Sequence, residues 1–242
     1  MPTRKLPQKT CPIHSIQAVL WDMDGVLADS KELHLQAWRQ ICEIYHIAFT
    51  PALFGSFFGQ SNPAIVEKLL QGTKRRLTQV QKDQVCQEKE RLYRESARTN
   101  LVPTPGVKTW LDFLMEHNIP CAVASSAPMA NIVMAVQTLG LADYFQALIS
   151  GATLPAGKPD PAIFLRAAAA LATDPARCLV IEDSPVGVQA AKSAGMLCLG
   201  LTTTNAARVL ELADWIYADL AAGRPEQLFH FAGENLALFG GS

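Results

Sequence analysis

Short apolar runs alternate with amphipathic helical patterns from about residue 100 onward, and this alternation constrains the fold more than any other feature of the chain. The runs have the length of buried strands and read "CAVASS", "ALIS", "CLVIED", "MLCLGL" and "DWIYADL". Each segment between them places apolar residues at helical spacing. Strands that alternate with helices pair in parallel, so the pattern predicts an α/β fold in which helices flank a parallel sheet. The earlier run "AVLW", at residues 18–21, predicts the first strand of the same sheet.

Residues 31–99 break this alternation, because they contain helical patterns and no convincing strand. The helical patterns are "KELHLQAWRQICEIYH", "NPAIVEKLLQG" and "LTQVQKDQVCQEKERLYRESA". The first predicts a buried stripe made of Leu33, Ala37, Trp38, Ile41, Ile44 and Tyr45. We therefore predict a Rossmann-like core formed by residues 17–30 and 100–242, a small all-helical cap formed by residues 31–99, and a loose N-terminal leader formed by residues 1–16.

The composition favours an ordinary globular protein without a charged macromolecular partner. The 242 residues include 21 basic and 22 acidic side chains, a balance that gives no field to attract nucleic acid or an anionic membrane. No segment approaches the roughly 20 apolar residues that cross a bilayer. The six cysteines lie far apart without metal-ligand spacing and are expected to be reduced thiols. We therefore expect a soluble, cytoplasmic monomer or small homo-oligomer, with neither nucleic acid nor membrane as a partner.

Polar side chains end several of the apolar runs, at the edge where parallel sheets bind their ligands. They are Asp22 and Asp24 after "AVLW", Ser125 and Ser126 after "CAVA", Lys158 in "GKPDP", and Glu182 and Asp183 after "CLVI". Each has an ordinary structural explanation when it is taken alone. The two aspartates fit a turn, the serines and the later acidic pair fit helix N-termini, and the lysine fits a solvated surface position. The combination is harder to explain as scaffolding.

A divalent cation together with a phosphate would explain the combination. Crowded carboxylates repel one another and raise each other's pKa values unless a cation compensates them. Mg2+ prefers oxygen ligands and keeps positions for water and a phosphoryl oxygen. Lys158, a serine hydroxyl and the backbone N–H groups near Ser126 would hold the remaining phosphoryl oxygens. One aspartate is then left to act as a nucleophile.

Four segments of the chain carry a resemblance to a known family. The segments "DMDGVLADS", "VASS", "GKPDP" and "IEDSPVGVQAA" resemble, in this order, the four motifs of the haloacid dehalogenase-like superfamily. The helical insertion resembles the cap of the branch that includes β-phosphoglucomutase and many small phosphatases. The resemblance covers nearly the whole chain, and it implies phosphate-ester chemistry because Asp24 stands where the dehalogenase branch has no acid.

The resemblance implies a role for each catalytic and phosphate-binding position. Asp22 corresponds to the nucleophile that forms an aspartyl-phosphate, and Asp24 corresponds to the acid/base that protonates the leaving oxygen and later activates water. Ser125 matches the phosphate-binding hydroxyl, with Ser126 beside it. Lys158 matches the ammonium that neutralises both the phosphate and the nucleophile.

The resemblance also implies a Mg2+ cofactor and its ligands. Asp183 matches a metal ligand, and Glu182 is either a second ligand or acts through water. The Asp22 carboxylate and the Asp24 backbone carbonyl would complete the protein's share of the coordination shell.

The cap decides between two reactions that share these motifs, a phosphatase and a phosphosugar mutase. His34 stands where the mutase has a histidine near the acid/base, but phosphatases often carry one too, and His34 could also be an ordinary polar residue of the cap. In "FFGQSNPAIVEKLL" the chain offers Gln60, Ser61 and Asn62 where the mutase places an arginine for a second phosphate.

The expected function is therefore a Mg2+-dependent phosphatase that acts on a small phosphorylated metabolite, with a sugar phosphate as the expected class. A β-phosphoglucomutase-type mutase is the alternative, and a protein that binds a phosphometabolite without turnover is a second one. Closure of the cap over the sheet, with hinges near Ser30 and in residues 102–106, would exclude water from the site.

Overall fold

The computed structural model describes residues 16–50, 53, 60–71, 73 and 76–229. Six of the described strands form one sheet: β1 (Ala18–Trp21), β4 (Cys121–Ser125), β5 (Ala147–Ser150), β6 (Cys178–Glu182), β7 (Leu197–Leu201) and β8 (Trp215–Tyr217). They pair in parallel in the order β5-β4-β1-β6-β7-β8, which confirms the predicted α/β fold. Every apolar run named above contains one of them. Residues 1–15 of the predicted leader lie outside the described residues.

Helices cover both faces of the sheet, and they bury both sides of the central strand β1. Val19 and Trp21 belong to one apolar cluster, and Ala18 and Leu20 belong to another. The first cluster includes residues of α4 (Val107–Glu116) and α5 (Met129–Thr138), and the second includes residues of α6 (Ala162–Ala170) and α7 (Pro185–Ser193). Such two-sided burial is typical of a parallel sheet.

The described part of residues 31–99 contributes three helices and no strand. They are α1 (Lys31–Ile44), α2 (Asn62–Gln71) and α3 (Gln79–Asn100). They share an apolar core of their own, to which Trp38, Ile65 and Val85 contribute one residue from each helix. We retain the division into a core (17–30 and 100–242) and a cap (31–99) as a proposal.

The predicted apolar stripe of α1 is wrong at Ile44, whose side chain is 58% exposed. The buried residues of α1 fall in adjacent pairs one turn apart: Leu33, His34, Ala37, Trp38, Ile41 and Cys42. Ile44 keeps the helical spacing of Leu33 and Ile41 but is exposed at the last position of the helix, while the polar His34 is buried. An apolar pattern alone does not include a buried histidine.

A short antiparallel ribbon joins the two connections between the cap and the core. Strand β2 (Ala28–Asp29) pairs with β3 (Val102–Pro103), so the two predicted hinge segments lie side by side. Gly25 donates its N–H to the carbonyl of Ala28 at 2.8 Å and has a φ of +84°, a conformation that favours glycine.

Among the residues described, no helix combines the length and apolar character needed to cross a membrane.

Candidate active site

The predicted acidic and basic residues meet at the carboxyl edge of the sheet. Strands β4, β1 and β6 are neighbours, so the residues at their carboxyl ends lie side by side. The backbone N–H of Asp22 donates to the carbonyl of Ile181 at 3.0 Å, which fixes the end of β1 against β6. The topology therefore brings Asp22, Ser125 and Glu182 together from distant parts of the chain.

Lys158 is buried between two of the carboxylates. Its Nζ lies 2.5 Å from Asp22 Oδ1 and 2.6 Å from Glu182 Oε1. The same ammonium lies 4.9 Å from the centre of the Phe164 ring. Burial alone would lower the pKa of Lys158, but the carboxylates of Asp22 and Glu182 raise it above its ordinary value. This position excludes the alternative of a solvated surface lysine.

Asp22, Glu182 and Asp183 form an acidic cluster whose ligand oxygens all lie within 4.8 Å of one another. Burial raises the pKa of Asp22 to about 7, with Lys158 opposing the shift and Glu182 adding to it. Burial, Glu182 and Asp22 also raise the pKa of Asp183 well above its usual range. One ammonium cannot compensate three buried carboxylates. The donor set consists of oxygen alone and carries excess negative charge, so it fits a hard divalent cation such as Mg2+.

Two residues that the sequence did not predict support Asp183. The Thr204 hydroxyl donates to Asp183 Oδ2, and the Asn205 side chain donates to the Asp183 carbonyl at 3.1 Å. A Cβ atom on Gly25 would lie 2.1 Å from Asp183 Oδ2, so only glycine allows the turn after Asp24 to pack against this carboxylate. The segment "TTTN" has no motif that would have indicated the contact.

Glu182 is held on both of its oxygens. Oε1 accepts from Lys158, and Oε2 accepts from the backbone N–H groups of Asp183 and Ser184, each at 2.8 Å. A Cβ atom on Gly187 would lie 1.8 Å from Oε1, so this glycine gives the carboxylate its space. Ser184 is the N-cap of α7, which excludes Glu182 and Asp183 as the capping residues.

The two serines at the end of β4 are buried to different degrees. Ser125 is 1% exposed, and its hydroxyl accepts from the Ala127 N–H at 3.1 Å while keeping its own hydrogen for another acceptor. Ser126 lies nearer the surface and lines the cleft described below. The N-cap of α5 is Pro128, with no side chain capping it, so the helix-cap explanation of the serines is wrong.

Asp24 is fixed by a chain of polar contacts with the cap. Ser30 Oγ donates to Asp24 Oδ1 at 2.6 Å, and His34 Nε2 lies 3.1 Å from the same oxygen. Lys89 Nζ lies 2.7 Å from His34 Nδ1, and an ammonium only donates, so Nε2 carries the hydrogen that His34 gives to Asp24. Burial alone would raise the pKa of Asp24, but His34 and Ser30 together lower it below its ordinary value.

Glu90 extends this chain to both sides of the site. Its Oε1 accepts from Lys89 at 2.8 Å and from Asn62 Nδ2 at 2.5 Å, and its Oε2 accepts from the core residue Asn131. Burial alone would raise the pKa of Glu90, but Lys89 and His34 lower it to about 2. The sequence did not predict Lys89, Glu90 or Asn131, because a charged helix ordinarily faces solvent.

A cleft of about 790 Å³ lies between the cap and the core, and we call it the cap–core cleft. Among its lining residues are the predicted Asp24, His34, Gln60, Asn62, Ser126 and Lys158. It is also lined by residues that the sequence did not predict, among them Trp38, Lys89, Glu90 and Arg94. Asp24, Ser126 and Lys158 therefore border the same space as the predicted substrate residues of the cap. The other predicted motif residues are not among its lining residues: Asp22, Ser125, Glu182 and Asp183.

Comparisons with known proteins agree with this geometry. The family model of the haloacid dehalogenase-like hydrolases matches residues 16–195, and the chain belongs to this family. β-Phosphoglucomutase of Bacillus subtilis is 36% identical over 77% of this chain and 83% of its own length. The phosphorylated carbohydrates phosphatase of Thermotoga maritima is 35% identical over 75% of this chain and 82% of its own.

A solved structure extends the likeness to the whole fold. The crystal structure of β-phosphoglucomutase from Clostridium difficile superposes with a TM-score of 0.79 at 25% identity and covers 88% of this chain and 95% of its own. The predicted class, a phosphoric monoester hydrolase of the haloacid dehalogenase-like type, is confirmed by the family and by relatives named as phosphatases. The relatives include both a mutase and a phosphatase, so they leave the particular reaction open.

Proposed function

We propose that this protein is a Mg2+-dependent phosphatase that hydrolyses a small phosphorylated metabolite, with sugar phosphates as its substrate class, through an aspartyl-phosphate on Asp22. The observation that carries the proposal is that the carboxylates of Asp22 and Asp24 lie in different surroundings. Asp22 lies in the acidic cluster beside Lys158, whereas Asp24 belongs to the hydrogen-bond chain of the cap. A nucleophile and an acid/base need such different environments.

In the first half-reaction the Asp22 carboxylate attacks phosphorus, and the bond between phosphorus and the leaving oxygen breaks. Asp24 gives its proton to the leaving oxygen. The lowered pKa of Asp24 means that it rests as a carboxylate, so it takes up this proton from solvent water as the anionic phosphate approaches. Lys158 stays charged and stabilises the negative charge that develops on the oxygens between Asp22 and the phosphoryl group.

In the second half-reaction the Asp24 carboxylate accepts a proton from water, and the water oxygen attacks phosphorus. The bond between phosphorus and Asp22 breaks, which releases inorganic phosphate and restores the Asp22 carboxylate. Asp24 keeps the accepted proton until it returns it to solvent, or donates it to the leaving oxygen of the next substrate. The hydrogen bonds from His34 and Ser30 favour the carboxylate form of Asp24 that this step requires.

Asp22, Asp183 and the backbone carbonyl of Asp24 would hold the Mg2+ ion. When bound, the ion supplies positive charge that compensates the crowded carboxylates and the phosphoryl oxygens. Both oxygens of Glu182 already accept hydrogen bonds from the protein, which favours a Glu182 that acts through water rather than as a direct ligand.

The residues at the position of the mutase's arginine favour a phosphatase over a mutase. Gln60, Ser61 and Asn62 border the cap–core cleft, and none of them carries a charge. Gln60 accepts a hydrogen bond from Lys68 at 2.7 Å, and Asn62 donates to Glu90, so both amides are already engaged. The mutase remains the second candidate because of the 36% identical relative from Bacillus subtilis.

A hydrolysis assay tests the proposal. Purified protein is assayed with p-nitrophenyl phosphate and with a panel of sugar phosphates, with and without Mg2+, and phosphate release that depends on Mg2+ is expected. Conversion of β-glucose 1-phosphate to glucose 6-phosphate on addition of β-glucose 1,6-bisphosphate, faster than phosphate release, would favour the mutase. Inertness toward the whole panel would favour a binding protein.

A further inference from the structure

Arg94 is a cation of the cap–core cleft that the proposed chemistry does not use. It lies on α3, one turn after Glu90, and its half-buried side chain lines the same cleft as Asp24 and Lys158. Its Nη1 donates to Asn131 Oδ1 at 2.9 Å. Within the described residues this is its one recorded hydrogen bond, so most of the five N–H donors of the guanidinium have no protein acceptor there.

The other two long cations of the cleft are each paired with a carboxylate. Lys158 contacts Asp22 and Glu182, and Lys89 contacts Glu90. Arg94 has no ion pair in the part of the chain that the structure describes, although Glu90 lies one turn away, because Glu90 is already held by Lys89, Asn62 and Asn131. A guanidinium removed from bulk water without a counter-ion is unfavourable, so an anion in the cleft would be stabilised by it.

The contact with Asn131 fixes where the guanidinium lies. Asn131 is fully buried, and its amide donates to Glu90 while its oxygen accepts from Arg94. Asn131 belongs to the first turn of the ten-residue helix α5, and the N-cap of that helix, Pro128, also lines the cleft. The N-terminus of a helix carries partial positive charge. Arg94 from the cap and the start of α5 from the core therefore give one part of the cleft a positive character.

We infer that Arg94 binds a second anionic group of the substrate, a phosphate or a carboxylate, distinct from the phosphoryl group that is transferred. The inference rests on the proposed function, because it treats the cap–core cleft as the substrate site. It narrows the substrate class to phosphate esters whose remaining part is itself negatively charged. The anchoring contact alone does not account for a charged residue, since a neutral amide could donate to Asn131 equally well.

The test measures binding in an Asp22→Asn background, in which a bound ester is not consumed. Calorimetry with Mg2+ present gives the Kd values of three probes: glucose 6-phosphate, 6-phosphogluconate and glucose 1,6-bisphosphate. The second variant is Arg94→Gln, which keeps a donor for Asn131 and removes the charge. The matched control is Arg98→Gln, an exposed arginine of the same helix that does not line the cleft.

We expect at least one probe with a second anionic group to bind about tenfold or more tightly than glucose 6-phosphate, and Arg94→Gln to remove most of that preference. Arg98→Gln should keep it. The carboxylate and bisphosphate arms identify which anion is preferred. Equal affinity for all three probes in the Asp22→Asn background would overturn the inference even if Arg94→Gln did not fold. A preference that survives in folded Arg94→Gln would also overturn it.

The outcome is distinguishable from failure of the proposed function. Binding does not depend on turnover, so a protein that hydrolyses no ester still gives Kd values that decide the role of Arg94. Conversely, hydrolysis with no anion preference would leave the phosphatase standing and reject the subsite.

Discussion

The edge of the sheet and the face of the cap differ in how their buried charges are balanced. At the edge, Asp22, Glu182 and Asp183 crowd around one ammonium, and the pKa values of Asp22 and Asp183 are raised. On the cap side, Lys89 and Glu90 are buried as a pair, and the pKa values of Asp24 and Glu90 are lowered. The first region has excess negative charge that a cation would relieve, whereas the second is already compensated. We interpret the edge as the place of chemistry and the cap as the device that positions it.

The largest effect is expected at the nucleophile. Asp22→Asn should lower kcat by about a thousandfold or more, because an amide cannot form the covalent intermediate. Steady-state hydrolysis of p-nitrophenyl phosphate measures the change, with circular dichroism to show that the fold is retained. A rate near that of the unmodified protein would reject Asp22 as the nucleophile.

Asp24→Asn should lower kcat by about a hundredfold, because both half-reactions lose their proton carrier. Its backbone carbonyl is unchanged, so Mg2+ affinity measured by calorimetry should stay within a few-fold of the original. Loss of Mg2+ binding in this variant would contradict the division between a metal-binding edge and a proton-transferring cap contact.

The compensated pair of the cap gives a prediction about stability. Glu90→Gln leaves the buried Lys89 ammonium without its carboxylate and should lower the free energy of unfolding by about 2 kcal/mol. The matched control is Glu95→Gln, which removes an exposed ion pair with Arg91 from the same helix and should cost less than about 1 kcal/mol. Equal losses of unfolding free energy in urea titrations of the two variants would show that burial adds nothing to the stabilisation by the Lys89–Glu90 pair.

The smallest effect is a pH dependence of Mg2+ binding. The pKa of Asp22 is raised to about 7 by burial, so below that pH a proton occupies the carboxylate and has to leave before Mg2+ binds. The Mg2+ Kd should therefore rise as the pH falls below about 7, by about tenfold or more for each pH unit, because the pKa of Asp183 is raised as well. A Mg2+ Kd that does not change between pH 8 and pH 5.5 would contradict the excess negative charge of the acidic cluster at the edge of the sheet.

The sequence predicted the edge far better than the cap. Strand ends appear in the sequence as apolar runs followed by Asp22, Ser125 or Glu182, and parallel pairing brings such ends together whatever the loops do. Lys89 and Glu90 carry no such signal, because a charged residue on a helix is ordinarily solvated and only the packing of α1, α3 and α5 buries these two. Thr204 and Asn131 likewise became visible only through the contacts that they make with Asp183 and Glu90.

Rapid acid quench of a single turnover is the most direct test of the central claim, that the carboxylate of Asp22 captures phosphorus. The protein is mixed with p-nitrophenyl phosphate and Mg2+, quenched before the second half-reaction, digested and analysed by mass spectrometry. We predict a phosphoryl group on the peptide that contains Asp22, absent from the Asp22→Asn variant. Release of nitrophenol with no phosphorylated Asp22 peptide, or with the phosphoryl group on another residue, would contradict the account.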